Sequence, residues 1–389
     1  MKRKEFVALA TSTFLNGVGS NVQLSVWPFY LQANRVGDEL YGAFTATSNA
    51  FAILVRAASG KLGSFGESVP FVLAVLASTG MMFTLAFLAN SWGILLAIIL
   101  SASSAALLLV GRTVIVGRDR ENKSLATTNA ILITLSNVGL VTGVAIGSSV
   151  FPSTSYFVIF LVGGGICTIS VLAAFWLPRG TTAQSSRIVN LRNASPSLRR
   201  FYLATCLDTF SWNLVMPFFA ITPAHIFQVK QTDIALIQSL MFGASTATNV
   251  VFAVLSDRLW GRKSLLVASE TLGIVMLIVY LLAPSVQPIF LAAILMGLVL
   301  STWNPVTSAY VSEASTKHEL NENVGTWQTL TSIIRVPSPI IGGYLAQHWF
   351  PRAPYLVAIF FVGATAIYIQ RYLKEPSLKV KASSVPPLR

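Results

Sequence analysis

Twelve apolar runs, each long enough to cross about 30 Å of hydrocarbon as a helix, leave this chain few folds to choose from. They cover approximately 6–33, 41–60, 69–89, 92–115, 126–150, 154–177, 200–225, 232–255, 264–283, 287–311, 324–349 and 353–373. In lipid every backbone N–H and C=O has to be paired within its own segment, so runs of this kind are helices. The rest of the composition agrees. Charged residues make up 11% of the chain and the mean hydropathy is +0.68, whereas soluble domains carry about 25% charge. Met1–Lys4 ahead of an apolar run has the look of a secretory leader, but the run to Ala33 is too long and contains Pro28. It reads as a first membrane helix.

The net charge of +13 does not describe a nucleic-acid binder, because the 27 Lys and Arg fall in short clusters between spans and form no basic face. They set topology instead. With the N-terminus in the cytoplasm, 22 of them lie on the inner side and 3 on the outer (Arg35, Lys230 and Arg352), leaving Arg56 and Arg335 within spans. The positive-inside rule then places both termini in the cytoplasm of a multi-pass cell-membrane protein. The longest polar connection divides the spans six and six. The expected units are an N-terminal six-helix bundle 1–177, a cytoplasmic linker 178–198, a C-terminal bundle 199–374 and a tail 375–389. Cys167 and Cys206 lie inside spans and imply no disulfide framework. His225, His318 and His348 lie far apart, so no metal site is expected, and no cofactor signature occurs.

The densest cluster of charge follows the eighth span, where Leu255-Ser-Asp257-Arg258-Leu-Trp-Gly261-Arg262-Lys263 joins the apolar runs 232–255 and 264–283. An ordinary basic loop with a glycine turn would serve the topology equally well. The residue order, however, resembles the signature loop of the major facilitator superfamily, which lies between the second and third helix of each six-helix half. The matching place in the first half, Gly60-Lys-Leu62-Gly-Ser64-Phe-Gly66-Glu-Ser68, keeps the glycines but has Ser64 for the acidic residue and lacks the basic pair. The resemblance implies that Asp257, Arg258, Gly261, Arg262 and Lys263 form a one-sided cytoplasmic gate motif. The halves also look like copies. Leu9-Ala-Thr11 recurs as Leu203-Ala-Thr205, Thr134-Leu-Ser136 as Thr329-Leu-Thr331, and Ile146-Gly147 as Ile341-Gly342, at offsets of 194, 195 and 195. Duplicated six-helix halves around a central site are how that superfamily is built.

Polar stripes within spans mark candidate ligands, since such groups are costly against lipid. Asn16, Ser20, Gln23 and Trp27 share one face of the first span at helical spacing. Trp212 and Asn213 follow Asp208 in the seventh, Trp303 and Asn304 precede Pro305 in the tenth, and Gln328 and Arg335 mark the eleventh. These ten residues, Asp208 aside, are the expected substrate-binding set, although hydrogen bonding between helices explains such groups too. Asp208 and Arg335 lie at similar depth, and the resemblance makes their helices neighbours. They are the expected proton-coupling pair. Arg56 and Glu270 read as interfacial, snorkelling groups. The glycine ridge Gly139, Gly143, Gly147 in the fifth span fits either close packing or the glycine-rich fifth helix of antiporters in the superfamily. The superfamily's arginine early in the fourth helix has no counterpart near Leu100-Ser101, with Arg112 much nearer the span's end.

The expectation is an all-α membrane protein with twelve transmembrane helices in two pseudo-symmetric bundles. It would act as a monomeric secondary transporter of a small organic solute by alternating access, coupled to protons and directed outward. Uptake of an organic anion or sugar is the alternative within the class. A membrane sensor without transport is the alternative outside it. An enzyme is not expected, because no nucleophile and base, and no metal ligands, are spaced to converge.

Overall fold

The computed structural model describes residues 3–62, 66, 68–117, 125–150, 154–177, 194–227, 229–258, 261–315 and 320–375. Among these residues the chain is helical without strands. Six spans of the first half are built from α1 (Arg3–Asn21) with α2 (Trp27–Ala33), α3 (Asp38–Leu62), α4 (Val69–Phe87), α5 (Ser91–Gly117), α6 (Leu125–Val150) and α7 (Tyr156–Ala174). The second half repeats the plan with α8 (Pro196–Val215) and α9 (Ile221–Ile226), α10 (Gln231–Arg258), α11 (Arg262–Leu282), α12 (Gln287–Ala314), α13 (Leu320–Ile334) with α14 (Pro337–His348), and α15 (Ala353–Tyr372). The near end of the bundle holds Arg3 and Tyr372; the far end holds Ala33, Asp38 and His348.

Three spans that the hydropathy reads as single helices are broken, and proline chemistry explains each break. A proline offers no N–H to the carbonyl four residues before it. The first span gives way to a 3-10 turn at Val22–Ser25 before Pro28, and the seventh does so at Met216–Phe218 before Pro223. The breaks fall at matching places of the two halves, 22 against 216, the same offset of 194 found in the sequence. The Phe219 carbonyl, left without a donor by Pro223, accepts a hydrogen bond from the Tyr280 hydroxyl at 2.7 Å. The eleventh span breaks at Arg335 and Val336, ahead of Pro337 and Pro339. Here the Arg335 carbonyl receives the Asn49 side-chain amide at 2.9 Å, across from the other half.

Among the described residues, eight helices are long and apolar enough to cross a membrane by themselves: α4, α5, α6, α7, α10, α11, α12 and α15. The other four spans are the three broken ones and α3, which carries Asp38, Glu39 and Arg56. Polarity is thus concentrated in the first, second, seventh and eleventh spans. Each half has its own apolar cores, one around Tyr30, Met82 and Phe160 and another around Tyr280, Met276 and Tyr355. The Tyr280 and Tyr355 rings stack at 4.1 Å. The ridge Gly139, Gly143, Gly147 of α6 lies directly on the backbone of the first span, where a Cβ would meet the carbonyls of Phe14, Val18 and Val22. Close packing accounts for it.

The halves join along α3 with α14 and α6 with α10. Gly42 faces the Pro339 carbonyl and Gly343 faces that of Asp38, each so closely that no side chain fits between. At the far end two pairs cross the seam. His225 Nδ1 lies 3.4 Å from Asp38 Oδ2, and His348 Nε2 lies 3.0 Å from Glu39 Oε2. The Glu39 amide donates to Gln347 Oε1 at 3.1 Å, and the Tyr41 and Phe218 rings meet edge to face at 5.9 Å. The far end is closed.

Candidate functional site

A cavity of about 510 Å³ lies between the halves, lined from α3 and α5 on one side and from α8, α12 and α13 on the other. That volume falls in the usual range for drug-sized ligands, about 300–1,000 Å³. Six of the expected residues line it: Asp208, Trp212, Asn213, Trp303, Gln328 and Arg335. The helical register explains the grouping. Thr205, Asp208, Thr209 and Trp212 fall on one stripe of α8, and Gln328 and Thr331 on one stripe of α13, with Arg335 just past its end.

The first span contributes nothing to this cavity. Asn21 ends α1, so the stripe from Asn16 to Trp27 is divided between helices of different phase. Ser20 turns its hydroxyl back onto the Asn16 carbonyl, and Asn16 is buried. Gln23 and Trp27 line a separate, smaller cavity of about 160 Å³ with Tyr41, whose hydroxyl accepts from Trp27 Nε1 at 3.2 Å. The Asn304 side chain, and those of Asp257 and Arg258, lie outside the described residues. Gly261 caps the start of α11, and Arg262 makes a two-pronged ion pair with Glu313 of α12 at 2.7 and 3.3 Å. The Lys263 amide donates to Glu375 at 2.9 Å. Neither contact reaches the first half.

Two residues read as interfacial are placed inward instead, Glu270 buried and Arg56 half-buried. Glu270 is 1% exposed, on the face of α11 turned toward α8, and sits against Asp208, itself 4% exposed. Neither Glu270 carboxylate oxygen receives a hydrogen bond, nor does Asp208 Oδ1. Asp208 is therefore one of two deep carboxyls, not the single one its position in the sequence suggests. Arg56 lines the cavity, and its guanidinium donates to Ser332 Oγ across the seam. Arg56 lies six residues before the end of α3 at Leu62.

Asp208 and Arg335 face the same cavity, but none of the ion pairs among the described residues joins them. Arg335 Nε has no hydrogen-bond partner. Trp327, which the sequence did not single out, also lines the cavity with its Nε1 unpartnered. Its signal was present, one residue before Gln328 and one turn before Thr331, but apolar aromatic residues in a span look like packing. Among the described residues no three His, Cys, Asp or Glu side chains gather as metal ligands would.

Comparison with known proteins places these features in context. Residues 201–387 match the Major Facilitator Superfamily. The multidrug resistance protein MdtG of Klebsiella pneumoniae (strain 342) is 27% identical over 184 residues, 46% of this chain and 42% of that protein. The chain thus matches less than half the length of that relative. Among solved structures, a variant of the nucleoside transporter NupG superposes with a TM-score of 0.75 at 16% identity, over 95% of this chain and all of the other. The human organic anion transporter MFSD10 (TETRAN) does so with a TM-score of 0.67 at 14% identity, over 95% of this chain and 99% of the other. The duplicated broken helices and the cavity between two six-helix halves, together with these matches, give the chain the major facilitator fold, with its second half matching the superfamily itself.

Proposed function

We propose that the chain is a secondary transporter that carries a small organic solute across the cell membrane by alternating access, with proton movement driving export. The observation that carries this reading is the cavity. It lies between two halves of a membrane-embedded bundle and is lined by charged and polar side chains from both. Such groups are expensive inside a bilayer and mark solute and ion paths. Asp208 is the carboxyl that lines it, and Arg335 the cation that a solute or proton would act through. The two bundles are residues 1–177 and 199–374, joined by a cytoplasmic connection, and the near end faces the cytoplasm. The far-end contacts then close the outward side. The names of the relatives point to drugs, nucleosides and organic anions, so they favour transport without naming one solute; MdtG favours export.

The test is transport by the purified full chain in liposomes. A solute panel is assayed for counterflow, and for movement against its gradient after a pH jump. Counterflow without any pH-driven accumulation would make the protein a facilitator. Absence of both across the panel would favour a sensor. In cells, single cysteines at Ala183 and Ser383 should react with an impermeant thiol reagent only after the membrane is opened. Labelling from outside would reverse the orientation.

A further inference from the structure

We infer that the small cavity beside Gln23 is a second compartment of the solute site, taking the flat, neutral head of an elongated solute: a carboxamide or lactam edge. This rests on the reading of the central cavity as the transported solute's site. At about 160 Å³ the small cavity is below the roughly 300 Å³ that usually lodges a whole ligand, but it has room for one planar group. Its wall brings together Gln23, Trp27, Tyr41, Met81 and Ser101, with no charged side chain among the described residues. A charge placed there would have no partner, so the head it takes is neutral.

Gln23 supplies the recognition. It is 9% exposed and sits at the break of the first span. Its Nε2 reaches the Ser20 carbonyl only at 3.5 Å and Met81 Sδ at 3.6 Å, while Oε1 has no donor. Good N–H···O bonds run about 2.7–3.2 Å. The terminal torsion of a glutamine is broad, so the amide turns to present both its edges. An amide so poorly satisfied is met by a group carrying a donor and an acceptor side by side, through two parallel bonds. Ser101 and the Tyr41 hydroxyl add polar edges, and the Trp27 indole and the Met81 thioether suit a flat face.

The helix α5 joins the compartments. Ser101 lines the small cavity and Leu109 the large one, about 12 Å further along the helix. Ala105 lies between, and all three are exposed within about 80° of arc. Trp92 and Leu96, exposed on the lipid side of α5, point about 140–180° away from the middle of that face. The face of Ser101, Ala105 and Leu109 therefore turns inward and runs from one cavity to the other. A solute lying along it sets its body among Asp208, Trp212 and Trp303. Its head rests against Tyr41, whose ring meets Phe218 across the far-end seam.

Two probes of nearly one shape decide the matter: 2-pyridone, with N–H and C=O side by side, and N-methyl-2-pyridone, which lacks the donor. Their binding to the purified full chain in lipid nanodiscs is measured by ligand-observed NMR, with empty nanodiscs subtracted. 2-Pyridone should bind about tenfold tighter, since a buried acceptor left unpaired costs about that much. Gln23→Leu should bring the two probes within about twofold of each other. In liposomes 2-pyridone should slow counterflow of whichever panel solute the wild type exchanges. Equal binding of the two probes by the wild type, or no binding of 2-pyridone, overturns the assignment without recourse to any variant. So does a preference that survives Gln23→Leu, or one that Gln328→Leu abolishes, since Gln328 is the amide of the large cavity. Counterflow that proceeds at full rate with 2-pyridone bound would overturn the small cavity as a compartment of the solute site. If the preference depends on Gln23 but liposomes exchange no solute, the head's site stands and the transport reading falls.

Discussion

At the scale of single residues, the most expensive feature of this protein is a pair of carboxyls, Asp208 and Glu270, buried against each other in the C-terminal half. Like charges at such a place repel and both lack water, so the pair is suited to hold a proton and release it when the surroundings change. Of the two, only Asp208 touches the cavity and can sense its occupant. Asp208→Asn keeps the size of the side chain and removes the titration. It should reduce pH-driven accumulation in liposomes to the level of empty vesicles, with counterflow retained within about a factor of three, because exchange needs no net proton transfer. Full gradient-driven transport by this variant would exclude Asp208 as the coupling site. The two acids differ in how far the sequence revealed them. Asp208 was legible because it shares a helical stripe with Thr205 and Trp212. Glu270 was not, although it lies about 12 Å along α11 from Arg262. Distance along a helix gives depth, but the direction a side chain faces depends on which helix packs beside it, and that is set by tertiary contacts. Arg56 was misjudged for the same reason: its contact, Ser332, comes from the other half.

At the scale of elements, the hydropathy of the chain found every span and missed every break. A window of about 20 residues averages over a 3-10 turn, so the first, seventh and eleventh spans read as whole helices. The prolines were visible, yet a proline in a span need not end a helix, and Pro305 lies inside α12 without ending it. What decides the outcome is whether another group takes up the freed carbonyl. Tyr280 and Asn49 do so for Phe219 and Arg335, and neither was identifiable beforehand. The breaks bring the far-end tips together, where the α3 N-terminus meets α9 and α14 through Asp38–His225 and Glu39–His348. The second pair is about half exposed, 47% and 48%, and the first rather less. Gln347 and Tyr355 stand beside them without adding charge at neutral pH. Exposed pairs are worth about 0.2–1 kcal/mol each, so losing both shifts the closed-to-open ratio by roughly two- to thirtyfold. Asp38→Asn with Glu39→Gln should make a cysteine placed at Tyr41 react faster with a thiol reagent from the far side. An unchanged rate would show that Gly42, Gly343 and the apolar tips hold the end shut unaided.

At the scale of the whole molecule, the described contacts between halves run from the far-end tips to Arg56 and Ser332, just beside the cavity. Closure at the far end is built from small, separable pieces: two ion pairs, one amide hydrogen bond, an edge-to-face ring contact and two glycine approaches. None is large, and a seam of that kind can part without unfolding either half, each of which has its own apolar core. Alternating access requires that it part in every cycle. This is tested by tying it. With Cys167 and Cys206 replaced by Ala, cysteines at Glu39 and Gln347 face each other across the seam, where the native residues already share a hydrogen bond of 3.1 Å. A short reducible dithiol-reactive linker should stop counterflow in liposomes, and a reducing agent should restore it. Binding to the same linked protein in nanodiscs should persist, because neither tied residue lines the cavity. Single-cysteine controls treated alike should transport normally. If the linked protein exchanges solute at the untreated rate, the far-end seam does not open during transport, and the two halves do not rock about this cavity. If linking abolishes binding as well, the route into the cavity runs through the far end, and the closed seam is its door.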